Sequence, residues 1–282
     1  MSEQSSKEIR STVTSDGTLQ LSISNTERPT PAENDVLIKV EAAPINPSDL
    51  GLLISFAADL DSLSISGEGE QAVTTAKIHP KLMAAMTARL DQSMPVGNEG
   101  GGVVVDAGAN AKHLIGKTVG VAGGAMYSQY RCVPANSCLV MNEGTSSREA
   151  ASSFVNPLTA LAFVETMRLE NHSALLNTAA ASNLGQMLVK ICQDDGIPLI
   201  NVVRKPEQVE TLKKIGAEYI CDTSDPDFMD SLVDALVATN ASTRLSIKSG
   251  SLVSQIYSAP IFFSVSTCSG FLTTLIRGMP SS

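Results

Sequence analysis

Ser173-Ala-Leu-Leu-Asn-Thr178, Ala179-Ala-Ala-Ser-Asn-Leu-Gly185, Gln186-Met-Leu-Val-Lys-Ile-Cys-Gln193 and Leu199-Ile-Asn-Val-Val203 follow one another in a single stretch, and their order decides the fold. The first is a short apolar run with polar ends, right for a buried parallel strand. The second is a turn whose side chains are small enough for a diphosphate to approach the backbone. The third has helical periodicity, and Gly196 stops it as a helix C-terminus is usually stopped. The fourth is another strand, and Arg204 and Lys205 stand where it ends. Strand, side-chain-poor turn, helix and strand make the layout of a dinucleotide-binding βαβ unit, with a pyrophosphate on the helix N-terminus and a ribose at the second strand's end.

Most of the glycines of that layout are missing. In a G-x-G-x-x-G register ending at Gly185, the first two glycine positions hold Ala180 and Ser182. Only the last, where helix and strand pack closely, is glycine. Strand–turn–helix units without a nucleotide share this outline. A site for NAD usually carries an acidic residue about 20 residues on, to hold the ribose 2′-hydroxyl. Here Arg204 and Lys205 take that place, with Lys213 and Lys214 on the following helix. Two cations there pair with a 2′-phosphate in charge-assisted bonds, so the residues read as a site for NADPH rather than NADH. A solvated basic helix start is the blander account of the same cations.

The chain of 282 residues is long enough for two domains, and a hydrophobic fraction of 43% supports real cores. A net charge of −9 argues against nucleic acid as a partner. Five cysteines (Cys132, Cys138, Cys192, Cys221, Cys268) are scattered without metal or redox spacing, as in a reduced cytosolic protein. The start, Met1-Ser-Glu-Gln-Ser-Ser-Lys, lacks the apolar stretch of a signal peptide and is acidic for a transit peptide. A cytoplasmic location is the expectation.

Residues up to about Ala150 read as mostly β. Asp35-Val-Leu-Ile-Lys-Val-Glu41 alternates apolar and polar residues, and Gly101–Asp106, Lys117–Ala122 and Tyr127–Val133 are further short strands. Strands punctuated by turn residues suggest a barrel-like or sandwich domain. The segment Phe56–Met94 reads as an insertion, with a flexible loop around Gly67–Glu70 and a helix after Pro80.

Four further motifs then appear in order: Asn46-Pro-Ser-Asp49, Val96-Gly-Asn-Glu-Gly-Gly-Gly-Val103, Ala125-Met-Tyr-Ser-Gln-Tyr130 and Asn156-Pro-Leu-Thr-Ala160. With the βαβ unit they resemble the medium-chain dehydrogenase/reductase superfamily, in its zinc-independent quinone oxidoreductase branch, from about Pro31 to about Ala241. The resemblance implies an α/β protein: a GroES-like β domain (residues 1–150, with the insertion at 56–94) and a Rossmann doubly wound parallel-sheet domain (151–248), with NADPH and substrate in the cleft between them. It implies that zinc is absent, because Asn46 stands near a position where zinc-dependent relatives carry Cys. Asn98 likewise replaces the His of their Gly-His-Glu, and Asn is a poor zinc ligand. His79, His113 and His172 do not cluster in sequence.

A metal-free reductase needs a donor aimed at the oxygen that gains charge as hydride arrives. By resemblance, Asn46 and Tyr127 are the candidates for that catalytic donor; turn formation and aromatic packing are their plainer readings. Asn156 and Thr159 are expected near the nicotinamide. Ala180, Ala181, Ser182, Asn183, Leu184 and Gly185 form the diphosphate loop, and Arg204 and Lys205 the 2′-phosphate end. Glu99 reads as a brace without a catalytic part. After Ala238 the resemblance fails: Thr243-Arg-Leu-Ser-Ile-Lys-Ser-Gly250 replaces the expected apolar strand, and Ser249–Ile276 holds no charged residue. The Rossmann domain is therefore expected to be incomplete, followed by a divergent apolar tail at 249–282. A transmembrane role for that tail is a poor fit given its Ser, Thr, Pro260 and Gly270. Two functions follow. One is an NADPH-dependent reductase of a quinone or activated carbonyl or enone, taking a small electrophile as partner. The other is a truncated nucleotide-binding module without full catalysis. A homodimer is a property of the family that the divergent end puts in doubt here.

Overall fold

The computed structural model describes residues 5–241 and the backbone of 262–264. The chain divides into two compact units between Val155 and Asn156.

In the first unit the strands are β1 (Ser5–Val13), β2 (Thr18–Glu27), β3 (Asp35–Ala42), β4 (Ala58–Ser66), β5 (Val73–Ile78), β6 (Met94–Pro95), β7 (Glu99–Ala107), β8 (Thr118–Ala122), β9 (Tyr130–Pro134) and β10 (Cys138–Val140). Two short helices, α1 (Leu50–Leu53) and α2 (Ser147–Ala150), accompany them. The strands pair into two antiparallel five-stranded sheets, in the orders β4-β5-β2-β1-β6 and β10-β8-β7-β3-β9. The second sheet buries Val36, Ile38, Val104, Val119, Val121 and Val133 around Met126. The first packs Val13, Leu19, Ala57, Ala76 and Ile78 in a smaller core. This bears out the GroES-like β expectation.

The insertion departs from the sequence reading. Its first part is a β hairpin, β4 with β5, and the loop expected around Gly67–Glu70 is the connection between the two strands. Residues Pro80–Arg89, expected to be α-helical, run as a 3-10 helix with no buried residue. Helix formers give a stable α-helix mainly by burying a face, and here only Met83 and Met86 reach the smaller core, both half-buried. Arg89 anchors its end: the guanidinium donates to Ser11 Oγ at 2.9 Å and to the Leu52 and Gly51 carbonyls at 3.1 and 3.5 Å. Those carbonyls belong to α1, so the cation caps that helix's C-terminal turn.

The second unit is built on four parallel strands, β11 (Leu175–Asn177), β12 (Leu199–Val203), β13 (Tyr219–Asp222) and β14 (Phe262–Ser264), in the order β13-β12-β11-β14. Helices α3 (Val155–Leu169), α4 (Asn183–Asp195) and α5 (Pro206–Lys214) contribute to the core on one face, with Leu175, Leu199 and Val203 from the sheet. On the other face α6 (Phe228–Ala238) packs Leu232, Ala235 and Leu236 against Leu176, Ile200 and Val202. Helices on both faces of a parallel sheet make the doubly wound arrangement that the sequence implies.

Here too the boundaries shift. β11 is only three residues long, because Asn177 Oδ1 accepts from the Ala179 N–H at 3.2 Å and turns the chain out of the strand. α4 starts at Asn183, not Gln186, since Ser182 is its N-cap and accepts from Gly185 N at 3.1 Å. Where the sequence implies a sheet without its second half, β14 adds a parallel strand on the far side of β11. The remaining expectations for 249–282 lie outside the described residues.

Candidate functional site

Parallel pairing brings the carboxyl ends of β11 and β12 to one edge, with Asn177 opposite Asn201. The chain leaves β11 toward β12 and β13 on one side, while β14 flanks it on the other. The end of β11 is therefore a topological switch point, where open α/β sheets bind ligands. The loop Thr178–Ser182 sits there. Ala180 is buried, Ala181 is half-buried, and Ser182 and Asn183 are exposed. The Gln186 amide donates to the Ala181 carbonyl at 3.0 Å and holds the loop against the helix. Gly185 is required: a Cβ there would lie 2.3 Å from the Ala180 carbonyl oxygen. The first N–H groups of a helix have no acceptor within it. Ser182 takes that of Gly185, so those of Asn183 and Leu184 are left for an anion.

Arg204 and Lys205 follow β12 at the same edge and are exposed. Arg204 N donates to Gln208 Oε1 at 2.9 Å and Lys205 is the N-cap of α5, which begins with Pro206. Among the described residues neither side chain makes an ion pair. Lys213 and Lys214 do not join them. They end α5, roughly 12 Å along its axis, and Lys213 pairs with Glu210 at 3.1 Å. Asn156 is half-buried on the first turn of α3 and Thr159 is buried at the start of its second, and each already makes an interaction of its own. A side-chain-poor loop, two open helix N–H groups and two uncommitted cations fit a phosphorylated dinucleotide.

The first unit holds a second polar cluster. Asn46, Asp49 and Glu99 are all nearly fully buried. Glu99 Oε1 accepts from Asn46 Nδ2 at 2.8 Å, and its Oε2 accepts from the Phe154 and Val155 N–H groups at 3.0 and 2.9 Å. Asp49 accepts from Asn46 N at 2.7 Å and Asn98 N at 2.8 Å. Both carboxylates are thus held by donors, as burial of charge demands. Tyr127 Oη donates to the Pro44 carbonyl at 2.9 Å. Gly97, at φ +97°, lets the Tyr127 ring pack where a Cβ would sit 2.5 Å from it. Burial, and then the Asp49 charge, raise the Tyr127 hydroxyl well above its ordinary value, so it stays a neutral donor.

Both of the donors that the sequence points to, Asn46 and Tyr127, therefore already have acceptors. The Asn46 amide serves Glu99, and the Tyr127 hydroxyl serves Pro44. Glu99, which reads from sequence as no more than a brace, is the residue on which the cluster converges. Its signal is an acid inside a glycine-rich strand. Asn177 and Asn201 are not singled out by the motifs; each is an amide interrupting an otherwise apolar strand. Among the described residues no group of three or more His, Cys, Asp or Glu side chains is placed to hold a metal ion. Burial pushes the Cys138 thiol up to about 11 and Cys192 to about 12, away from thiolate chemistry at neutral pH. Among the described residues no helix is long and apolar enough to cross a membrane.

Known proteins resemble this chain in sequence and fold. The mitochondrial enoyl-[acyl-carrier-protein] reductase of Xenopus tropicalis is 28% identical over 200 residues, covering 67% of this chain and 48% of that protein. The NADPH quinone oxidoreductase of Kluyveromyces marxianus is 25% identical over 232 residues, covering 77% of this chain and 56% of that one. A crystal structure described as that of an NADPH:quinone reductase from Mesorhizobium loti superposes with a TM-score of 0.61 at 25% identity, covering 85% of this chain and 66% of that one. These three are quinone and enoyl reductases of the medium-chain dehydrogenase/reductase superfamily. The motif order at Asn46, Val96, Ala125 and Asn156 and the two-unit fold agree with that kinship. The chain spans about half the length of the curated relatives it matches. No family model matches it.

Proposed function

We propose that this chain binds NADPH at the carboxyl edge of its parallel sheet and reduces a quinone or an activated carbonyl or enone without zinc. The observation that carries the reading is the pair of uncommitted cations, Arg204 and Lys205, beside a loop without long side chains. An adenosine 2′-phosphate offers two negative charges to that edge, and a 2′-hydroxyl offers none. The Asn183 and Leu184 N–H groups orient the diphosphate at the helix start that Ser182 caps, its own N–H being held by the Ala179 carbonyl, and Gly185 lets the loop lie close against α4. Once bound, the nicotinamide supplies the hydride.

The protein's own part in the transfer is positioning and charge stabilisation. Asn46 and Tyr127 are the proposed donors to the acceptor oxygen. Each must exchange its present partner, Glu99 Oε1 or the Pro44 carbonyl, for that oxygen. Tyr127 suits the task because its raised proton affinity keeps it neutral and donating at any physiological pH. The same occupied state favours a second reading, a nucleotide-binding module that does not turn over. Purified full chain mixed with NADPH and a simple quinone, or a 2-enoyl thioester, separates the two. Saturable binding with acceptor-dependent loss of NADPH absorbance supports the reductase. Binding without turnover supports the module, and failure to bind NADPH refutes both.

A further inference from the structure

The nucleotide-binding unit contains two buried amides whose unmet atoms are complementary. Asn177 and Asn201 are register partners on β11 and β12, and both are buried. Alternation along the strands places them on the face that carries Leu175, Leu199 and Val203. The orientation of each amide is fixed by its backbone contacts. Asn177 Oδ1 accepts from Ala179 N at 3.2 Å, and Asn201 Nδ2 donates to the carbonyls of Leu199 and Tyr219, each at 3.2 Å. Turning either amide over would set oxygen against oxygen or N–H against N–H, so the assignment has one solution. What remains among the described residues is a donor without an acceptor, Asn177 Nδ2, and an acceptor without a donor, Asn201 Oδ1.

Paired strands lie about 4.8 Å apart, so side chains of register partners on one face are neighbours within reach of each other. Leaving both unmet in the core is much less favourable than joining them. We infer that Asn177 Nδ2 donates to Asn201 Oδ1 and that this bond makes Asn177 a positioning residue for the NADPH site. Asn177 is a side chain that ties both elements of the site together. Its oxygen sets the turn into the phosphate loop, and its nitrogen fastens that turn to the strand ending in Arg204 and Lys205. The role in cofactor binding rests on the function proposed above; the bond itself does not. Apolar side chains of similar volume would fill the same space, so packing alone does not call for two amides here.

The bond is read directly in the labelled full chain by nuclear magnetic resonance, as a through-hydrogen-bond coupling between Asn177 Nδ2 and Asn201 Cγ. Its absence in the wild-type protein overturns the inference. Asn201→Leu touches neither the loop nor the cations. It is expected to shift the Asn177 side-chain amide signal, lower the melting temperature by a few degrees because Asn177 Nδ2 loses its acceptor, and weaken NADPH binding about tenfold. Adding Asn177→Leu to Asn201→Leu should weaken NADPH no further than Asn177→Leu alone, because both remove the same link. Independent, multiplying losses, or a lower melting temperature without any change in NADPH affinity, would reduce the pair to a structural one. If wild-type protein bound no NADPH, the functional proposal would fall while the coupling measurement still decided the bond.

Discussion

Replacing Gly185 by alanine tests the phosphate loop at the one glycine its register retains. Helix propensity alone makes this change favourable by about 1 kcal/mol, since alanine is the better helix former. Packing opposes it. The new Cβ would lie 2.3 Å from the Ala180 oxygen, 2.6 Å from its carbonyl carbon and 2.7 Å from the Ala179 oxygen. Ordinary contact begins at 3.4 Å, so the loop and the helix must separate by about 1 Å. All three atoms are backbone and cannot swing aside. Overpacking of this kind costs about 1–3 kcal/mol, and more when main chain has to move. The clash therefore wins, with a net loss of about 2 kcal/mol. The displaced atoms are those of the diphosphate loop, so NADPH affinity should fall at least about tenfold. Gly196→Ala is the control: it strains a left-handed C-cap at φ +65°, costing about 1 kcal/mol, yet its Cβ meets nothing within 4 Å. It should lower stability and leave NADPH binding intact. The chain has no tryptophan, so urea unfolding is best followed by circular dichroism, with binding followed by nicotinamide fluorescence. If Gly185→Ala unfolded within 0.5 kcal/mol of wild type, an order-of-magnitude threshold, and kept its NADPH affinity, the close-packing argument would be wrong.

Three further outcomes follow from the first unit. Glu99→Gln sets an NH2 group among three donors and is expected to destabilise the protein by about 2–3 kcal/mol in urea; a loss below about 0.5 kcal/mol would mean Glu99 does not hold the cluster. Arg89→Met keeps the aliphatic bulk but leaves the α1 carbonyls uncapped, so it should cost about 1 kcal/mol and speed proteolytic cleavage within Pro80–Arg89. Unchanged cleavage would show that the segment is anchored elsewhere. The Tyr127 hydroxyl binds its proton more tightly in the folded state than its ordinary value of 10.0. Its contribution is therefore complete below pH 10 and declines as pH rises above it. In Tyr127→Phe, measured by urea unfolding from pH 9 to 11, that part of the alkaline decline should disappear, and an identical pH profile would refute the assignment.

Much of the second unit is legible because parallel βαβ units write themselves in short apolar runs, a capping serine and a terminating glycine. Ser182 and Gly196 mark the ends of α4 by their chemistry, although the helix begins three residues before its apolar periodicity becomes evident. Fold kinship is likewise readable from five motifs in order. The insertion is not. Leu60, Leu63 and Ile65 on β4 remain exposed, so alternation there does not report burial, and Pro80–Arg89 has helix formers but no fully buried residue. The proposed site draws on residues whose type alone singles them out in the sequence, as with Arg204, Lys205 and Gly185. It is obscure where partners decide. Glu99 finds its donors 53 and 55 residues away in sequence, and Asn177 meets Asn201 only through strand register. Lys213 and Lys214 read as part of the cationic end until helix length carries them away from it.

The central claim is that the carboxyl edge of β12 recognises a 2′-phosphate. Equilibrium titration of the wild-type chain and of the Arg204→Ala, Lys205→Ala double variant with NADPH and with NADH tests it most directly. Wild type should prefer NADPH, and the double variant should lose at least about tenfold in NADPH affinity with NADH little changed. Equal losses for both cofactors, or no preference in the wild type, would contradict it.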